Sequence, residues 1–271
     1  MFSILIPSYN NLNYLILCIN SIKKNSKYDH QIIVHINEGN DGSHEYVKKN
    51  KINHTFTEQN VGMPKALNMA SKLAKYEYLV ISHDDFYYCP GWDEEFKKEI
   101  EILDHNNFYL SGTMVGAKNF CDINYGNLPA EFDAGENFEN FNENKLLKNL
   151  EKIKTRNYQG STKHPALIHL DLWKKVGGWS EEFSPTGGDD TDFIMKLWVE
   201  NIRIYKGLGK CLVYHFGSIT TRKKHKSLNT YLGSKGNKIF LKKWKITINF
   251  FETFYLQSGI DGNKKQVFNE Y

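Results

Sequence analysis

The sequence has few cysteines, no long hydrophobic run and only a small excess of one charge. Its four cysteines, Cys18, Cys89, Cys121 and Cys211, are far apart and lack metal-site spacing, which argues against a disulfide framework or a zinc site and favours a reducing compartment. No stretch is long enough to span a bilayer. The first apolar run is too short for a signal peptide, ends at Pro7 and has no basic region before it. We therefore expect a soluble, cytoplasmic protein.

Glycine-rich phosphate-binding loops are also missing. The first apolar run leads into Pro7-Ser-Tyr-Asn10, which lacks the Gly-x-Gly-x-x-Gly pattern of dinucleotide-dependent oxidoreductases and the glycine-rich, arginine-containing loop of sugar nucleotidyltransferases. The formal net charge of +4 does not favour nucleic acid as a partner, despite the basic run 222–226. With 271 residues, 40% of them hydrophobic, the chain can form one large α/β domain, with or without a tail.

Apolar segments alternate with segments of helical periodicity in the first half of the chain. This alternation predicts a parallel sheet with right-handed crossovers. The predicted strands are 2–7, 31–36, 52–57, 77–82, 108–115, 165–170 and 210–215, and the predicted helices are 12–22, 43–50, 64–74, 91–105, 172–176 and 191–200. The asparagine-rich region 116–158 predicts an irregular excursion with a helix at 143–154.

Residues after Phe216 form a basic and aromatic tail. Trp244, Phe250 and Phe254 are interleaved with or follow a lysine cluster at 242–245. Such side chains pack on the domain or rest on a membrane surface, and packing is the interpretation we favour.

Polar residues follow the predicted strands at the points where they end. Pro7–Asn10 follow the first strand, 37–43 the second and 83–85 the fourth, and His215 ends the last. Because ligands bind beyond the carboxyl ends of strands in open α/β sheets, we expect these groups to converge on one site.

Two acidic motifs carry most of the chemistry. Asp84 and Asp85 directly follow an apolar strand, where adjacent carboxylates either bind a divalent cation or form a solvated turn or helix cap. Gly187-Gly-Asp-Asp-Thr-Asp192 opens a helix, where its acids either complement the helix dipole or include a general base. His215 is either a structural histidine or a metal ligand beside Asp85.

Together these motifs resemble the inverting family 2 nucleotide-sugar glycosyltransferases, from about Ser3 to His215. The resemblance implies the GT-A fold: a Rossmann-like mixed, mostly parallel α/β sheet flanked by helices, followed here by a basic and aromatic helical tail. It also implies a glycosyltransferase domain at 1–216, with a nucleotide-sugar-binding half at 1–115, an acceptor-side half at 116–216 and a tail at 217–271.

The donor-side residues follow from matching motifs. Ser3–Asn10 is similar to the opening strand and nucleotide-contacting turn, and Asn37–Ser43 to the turn that contacts base and ribose, although Asn37 and Glu38 stand where aspartate is commoner. Asn60–Asn68 is similar to the segment whose helix lies beside the donor. The implied nucleotide-binding residues are Pro7, Tyr9, Asn10, Asn37, Glu38, Gly62, Lys65 and Asp84.

The resemblance assigns a Mn²⁺ or Mg²⁺ ion to Asp85 and His215, with Ser82 standing where a first aspartate is frequent. In the acceptor-side block it assigns the base to Asp190, with Asp189 as the alternative, and places Gly178 and Trp179 at the acceptor. Trp179 would stack on a sugar or pack in the core.

The implied reaction is metal-dependent transfer, with inversion, of a hexosyl or N-acetylhexosaminyl group from a nucleoside-diphosphate sugar, by default a UDP-sugar. Its acceptor would be a glycan, lipid-linked or protein hydroxyl in glycan synthesis. The competing interpretation is an inactive relative that binds nucleotide or glycan.

Overall fold

The computed structural model describes residues 1–117, 130–217 and 226–258, and for 130 and 226–233 it describes the backbone alone. The basic run 222–226 and Ser218 therefore lie outside the described residues or side chains, as does part of the 116–158 region. The described strands form one ten-stranded sheet with the order β3-β2-β1-β4-β9-β6-β10-β5, in which β7 pairs with β6 and β8 with β10. They are β1 Ser3–Tyr9, β2 Gln31–Asn37, β3 Asn53–Thr57, β4 Tyr78–Ile81, β5 Phe86–Tyr88, β6 Phe108–Gly116, β7 Ala130–Glu131, β8 Tyr158–Gln159, β9 Ala166–His169 and β10 Ile204–His215.

The helices cover both faces of this sheet. They are α1 Leu12–Asn25, α2 Ser43–Lys49, α3 Gly62–Ser71, α4 Trp92–Leu103, α5 Glu143–Lys148, α6 Leu150–Ile153, α7 Leu170–Lys175, α8 Asp189–Val199, α9 Lys226–Trp244 and α10 Ile248–Phe250, with a 3₁₀ turn at Glu181–Phe183 and a π turn at Phe251–Tyr255. The predicted mixed, mostly parallel α/β fold is confirmed.

Alternate side chains of β1 enter two different cores. Ile4 and Ile6 pack with Leu15 of α1 and Trp92 of α4, whereas Leu5 packs on the other face, in the cluster that contains Phe193 of α8. A strand covered on both faces is apolar along its length, which is why β1 is a continuous hydrophobic run rather than an alternating one.

The structure differs from the predicted elements in several places. Ala166–His169 runs antiparallel to both β4 and β6, so the sheet is mixed at its centre. The short strand Phe86–Tyr88 was not predicted, and β10 begins at Ile204 rather than at 210. The predicted helix 143–154 is split in two at Asn149, whose backbone φ of −112° is not helical.

The described part of the tail packs on the domain. Phe240, Phe251 and Leu256 are fully buried in the cluster of α7 and α8. The buried carboxylate of Asp192 accepts hydrogen bonds from Nε1 of Trp244 at 2.7 Å and Nζ of Lys243 at 3.2 Å. Among the described residues, no helix is both long and apolar enough to cross a bilayer.

Gly236 of α9 packs directly against the backbone of the turn before α8. The approach is so close that a Cβ atom on Gly236 would overlap the carbonyl group of Gly187. We expect Gly236→Ala to lower stability by about 1–3 kcal/mol, the usual cost of overpacking, although alanine is the better helix former. A thermal melt measures this, with Ser234→Ala as control, since Ser234 is exposed on the same helix. A Gly236→Ala protein that melts at or above the parent temperature would show that α9 does not pack on this turn.

Candidate active site

The polar ends of the parallel strands meet at one edge of the sheet. β1 pairs in parallel with β2 and β4, so Tyr9, Asn37 and the residues after Ile81 lie at the same edge. Oγ of Ser8, near the end of β1, donates a 2.7 Å hydrogen bond to Oδ2 of Asp84. The predicted convergence of the β1 and β4 ends is therefore present in the structure.

Asp85 and His215 lie side by side, although 130 positions apart in the chain. The unpredicted strand β5 pairs antiparallel with the end of β10, placing Phe86 opposite His215. The amide of Phe216 donates to the carbonyl oxygen of Asp85 at 3.3 Å. Nε2 of His215 lies 3.2 Å from Oδ2 of Asp85, and both side chains are almost fully buried. The β5–β10 pairing thus brings together the two residues assigned to a metal.

Asp84 adds a second carboxylate to this buried group. Burial, and then the charge of Asp85, raise the pKa of Asp84 to about 7, while hydrogen bonds from Ser8 and Asn11 act in the opposite direction. Two neighbouring buried carboxylates repel each other, and a cation or a proton relieves that repulsion.

The donor set fits a hard divalent cation. No cluster of three potential ligands from His, Cys, Asp and Glu comes together in the described parts of the chain. The Asp85 carboxylate is the ligand type that suits Mg²⁺ or Mn²⁺, and Mg²⁺ is commonly held by one or two protein carboxylates and takes further oxygens from substrate phosphates and water. The imidazole of His215 would be a softer second ligand.

A network of hydrogen bonds shapes the predicted nucleotide-contacting turn. Nδ2 of Asn10 donates to Oε2 of Glu38 at 3.1 Å, and the amide of Asn40 donates to Oδ1 of Asn10 at 2.9 Å. Asn10 and Glu38 both have left-handed φ angles, 47° and 62°. Asp41, which sequence reasoning missed, accepts the amide of Leu12 at 2.6 Å and fixes the turn against the start of α1. Pro7 and Tyr9 are half-buried beside this turn.

Asn37 has a different position from its neighbours. Its side chain is buried, and its Oδ1 accepts the amide of Val61 at 2.9 Å, which joins the end of β2 to the start of α3. Gly62 follows with φ of 81°, and a Cβ there would lie 2.6 Å from Cα of Pro185. Lys65, one turn into α3, is exposed. Asn37 and Gly62 thus hold α3 in place, and Lys65 is accessible.

The three acids that open α8 have three different environments. Asp189 accepts the amide of Gly187 at 2.7 Å, and burial and then the charge of Asp190 raise its pKa to about 7. Asp190 lies 3.2 Å from Nζ of Lys163. Asp192 anchors the tail, as described above. Asp189 therefore closes the turn, whereas the Asp190 carboxylate is partly exposed and paired with a cation.

Trp179 is buried rather than exposed to a ligand. The indole packs beside Phe193 and His164, with ring centroids 5.9 and 5.6 Å away, so the core-packing alternative describes its position. Asn68 of α3 brackets this segment: its Oδ1 accepts the amide of Trp179 and its Nδ2 donates to the carbonyl of Trp179, both at 2.8 Å. Gly178 leaves space for Asn68, since a Cβ would overlap that side chain.

The half-buried His83 and the buried His164 form a pair to which no sequence motif assigns a role. Nε2 of His83 lies 2.8 Å from Nδ1 of His164, and the His83 ring lies 5.8 Å from that of His215. Burial lowers the pKa of His83 to about 4 and that of His164 well below its ordinary value, so both rings are neutral near pH 7. Nε2 of His164 and Nε1 of Trp179 have no hydrogen-bond partner among the described residues.

Solved structures of two proteins resemble the fold of this chain. A fragment of S. aureus TarS, residues 1–349, is 16% identical with a TM-score of 0.58, covering 95% of this chain and 76% of the fragment. The same fragment in complex with UDP-GlcNAc is 14% identical with a TM-score of 0.57, covering 95% and 77%. GalNAc-T7 with UDP, GalNAc and Mn²⁺ is 15% identical with a TM-score of 0.59, covering 79% of this chain and 43% of that one. These similarities identify the GT-A fold.

The sequence also matches the family model described as glycosyl transferase family 2, over residues 3–166. This is more than half of the chain, so the protein belongs to glycosyl transferase family 2 and is a glycosyltransferase. A comparison with curated proteins gave no significant match.

Proposed function

We propose that this protein transfers a sugar, with inversion, from a nucleoside-diphosphate sugar to an acceptor hydroxyl, using a divalent cation. The observation that carries the proposal is the 3.2 Å approach of Asp85 and His215 at the edge of the sheet where β1 and β4 end. Asp85 and His215 would hold Mn²⁺ or Mg²⁺, which when bound offsets the charge that develops on the departing diphosphate.

The donor would lie along the ends of β1 and β2. In this proposal the turn containing Tyr9, Asn10 and Glu38 contacts the nucleoside, and Asp84 contacts the ribose or sugar. Pro7 and Asn37 shape the same turn, and Lys65 extends from α3 near the start of that helix. TarS in complex with UDP-GlcNAc and GalNAc-T7 with UDP support a UDP-sugar as donor.

Asp190 would remove the proton from the acceptor hydroxyl as that oxygen attacks the anomeric carbon from the side opposite the diphosphate. A single displacement of this geometry inverts the configuration, as in inverting glycoside chemistry with a sugar or protein hydroxyl in place of water. Asp189 is the alternative base. Gly178 and Trp179 would form the supporting wall of the acceptor side rather than a stacking surface, because Trp179 is buried.

The proposed domain has a nucleotide-sugar half at 1–115 and an acceptor half at 116–216, followed by a tail at 217–271. Asp84 and Asp85 belong to the first half, and Asp190 and His215 belong to the second. We further propose that the protein is cytoplasmic and that its C-terminal tail contacts a membrane surface. Exposed side chains of Phe250 and Phe254, in contact with each other, support it.

A thermal-shift screen tests donor and cation together. We expect a UDP-hexose or UDP-N-acetylhexosamine to raise Tm by several degrees in Mn²⁺ or Mg²⁺, because ligand at 100 times Kd stabilises a folded protein by about 2.7 kcal/mol. The same sugars in EDTA should give a smaller shift. The donor that binds is then assayed for release of nucleoside diphosphate with candidate acceptors. Binding without release or transfer would favour the inactive relative.

A further inference from the structure

Lys163 contacts the proposed base although no motif in the sequence points to it. It lies just before β9, and its Nζ is 3.2 Å from Oδ2 of Asp190. The side chains of Lys163 and Asp190 are 20% and 26% exposed, so solvent screens this pair only in part. An ion pair in such a setting fixes both the orientation and the charge of the carboxylate.

A second acid reaches the same place from the C-terminal segment. Oγ1 of Thr191 donates a 3.3 Å hydrogen bond to Oε1 of Glu252 and lies 3.5 Å from Oδ1 of Asp190. Burial raises the pKa of Glu252, the charge of Lys163 lowers it, and the charge of Asp190 raises it again. Asp190, Lys163 and Glu252 therefore form one electrostatically connected group, hereafter the base cluster.

The groups around Asp190 favour the ionised form of its carboxylate. Burial on its own would raise the pKa of Asp190, but the charge of Lys163 and the hydrogen bond from the amide of Thr191 hold that pKa below its ordinary value. The other described titratable groups that interact with Asp190 are Tyr109 of β6, His83 after β4, the adjacent Asp189, and Glu252. Lys163 is the nearest cation of this set, at direct contact with the carboxylate.

We propose that Lys163 is a positioning residue that holds the Asp190 carboxylate ionised and oriented, and that Glu252 of the C-terminal segment supports this arrangement through the hydroxyl of Thr191. This inference rests on the proposed role of Asp190 as base. Glu252 belongs to the π turn that follows α10. The tail would therefore contribute to the acceptor side of the site as well as pack on the domain.

The pH profile of kcat/KM tests the role of Lys163. The charge of Lys163 favours the ionised form of Asp190, so its removal raises the pKa of the base. In Lys163→Met the acid limb should therefore move to higher pH by about one unit, the lower end of the range for a neighbouring opposite charge. At a pH on that limb, kcat/KM should fall about tenfold, and Lys163→Arg should restore most of it.

Further variants separate charge from damage to the fold. Lys175→Met removes the cation of the 2.7 Å Lys175–Glu200 pair, which involves the other end of α8, and should leave the acid limb unmoved. The pKa of Glu252 is raised and that of Asp190 is lowered, so Glu252 is protonated first as the pH falls, and Glu252→Gln should leave the acid limb of Asp190 in place. Glu252→Ala removes the acceptor of the Thr191 hydroxyl and should lower kcat. Structural damage in Lys163→Met would lower kcat at every pH without moving the acid limb.

The inference is overturned if Lys163→Met raises the KM for the donor while the acid limb stays in place, since Lys163 would then bind the donor instead. An unchanged kcat in Glu252→Ala, which removes the acceptor of the Thr191 hydroxyl, would remove the tail from the base cluster. Failure of the proposed function looks different: Asp190→Asn would keep its turnover, and no variant of the base cluster would then be expected to shift the profile.

Discussion

Replacement of Asp190 by asparagine should lower kcat by about 10²–10⁴-fold, the contribution usual for a general base, while binding of the nucleotide sugar is retained. Asparagine keeps the size of the side chain and an oxygen that accepts from the Thr191 amide, as Asp190 does at 2.8 Å. It cannot accept a proton from the acceptor hydroxyl. Single-turnover rates together with donor thermal shifts separate the loss of chemistry from loss of binding.

Asp189→Asn is the matched control for this experiment. The Asp189 side chain accepts the amide of Gly187 at 2.7 Å, and an asparagine oxygen can keep that hydrogen bond. We expect a much smaller effect on kcat than for Asp190→Asn. The reverse order of effects would assign the base to Asp189, and full turnover in both variants would contradict a carboxylate base at the start of α8.

Loss of Asp85 or His215 should abolish the Mn²⁺-dependent part of donor binding. We expect Asp85→Ala and His215→Ala to lower kcat/KM by at least about 100-fold, because changes even to groups behind metal ligands cost 10–100-fold. Both variants should show the same donor thermal shift in Mn²⁺ as in EDTA. Titration of Mn²⁺ into each variant, followed by donor, measures this effect.

The pair His169 and Asp171 provides the control for these variants. Nδ1 of His169 lies 3.8 Å from Oδ2 of Asp171, and that carboxylate is exposed and outside the proposed site. Asp171→Ala should therefore leave Mn²⁺-dependent binding unchanged. Equal transfer rates in EDTA and in Mn²⁺ for the unaltered protein would show that no divalent ion takes part, and the close Asp85–His215 pair would then need a structural explanation.

Sequence patterns located the acidic motifs better than they located the partners of those motifs. Asp84 and Asp85 were recognisable because a buried strand ended directly before them, and the first acids of α8 because glycines precede a helical repeat. Lys163, His164 and Glu252 carry no comparable pattern. Each reaches the site through the pairing or packing of distant segments, so local periodicity contains no information about it.

The interpretation of Trp179 shows the same limit. An aromatic residue after two glycines is compatible with a sugar-stacking surface or with a core position. Asn68, 111 positions earlier in the chain, fixes the backbone of Trp179, and Phe193 packs near its ring. Only the position of α3 relative to α8 decides between the two interpretations.

The sequence by itself determined the α/β class, most of the strands and helices, the edge of the sheet that carries polar groups, and membership of glycosyl transferase family 2. These properties follow from local periodicity and from residue types at strand ends, which neighbouring positions in the chain encode. Local patterns did not decide which side chains meet: the family resemblance paired Asp85 with His215, and the tertiary structure shows how such pairs form. The β5–β10 pairing joins Asp85 to His215, and the packing of the tail on α8 brings Glu252 to the base cluster. Such contacts depend on sheet order and on buried surfaces far apart in the chain, where no short-range pattern specifies a partner.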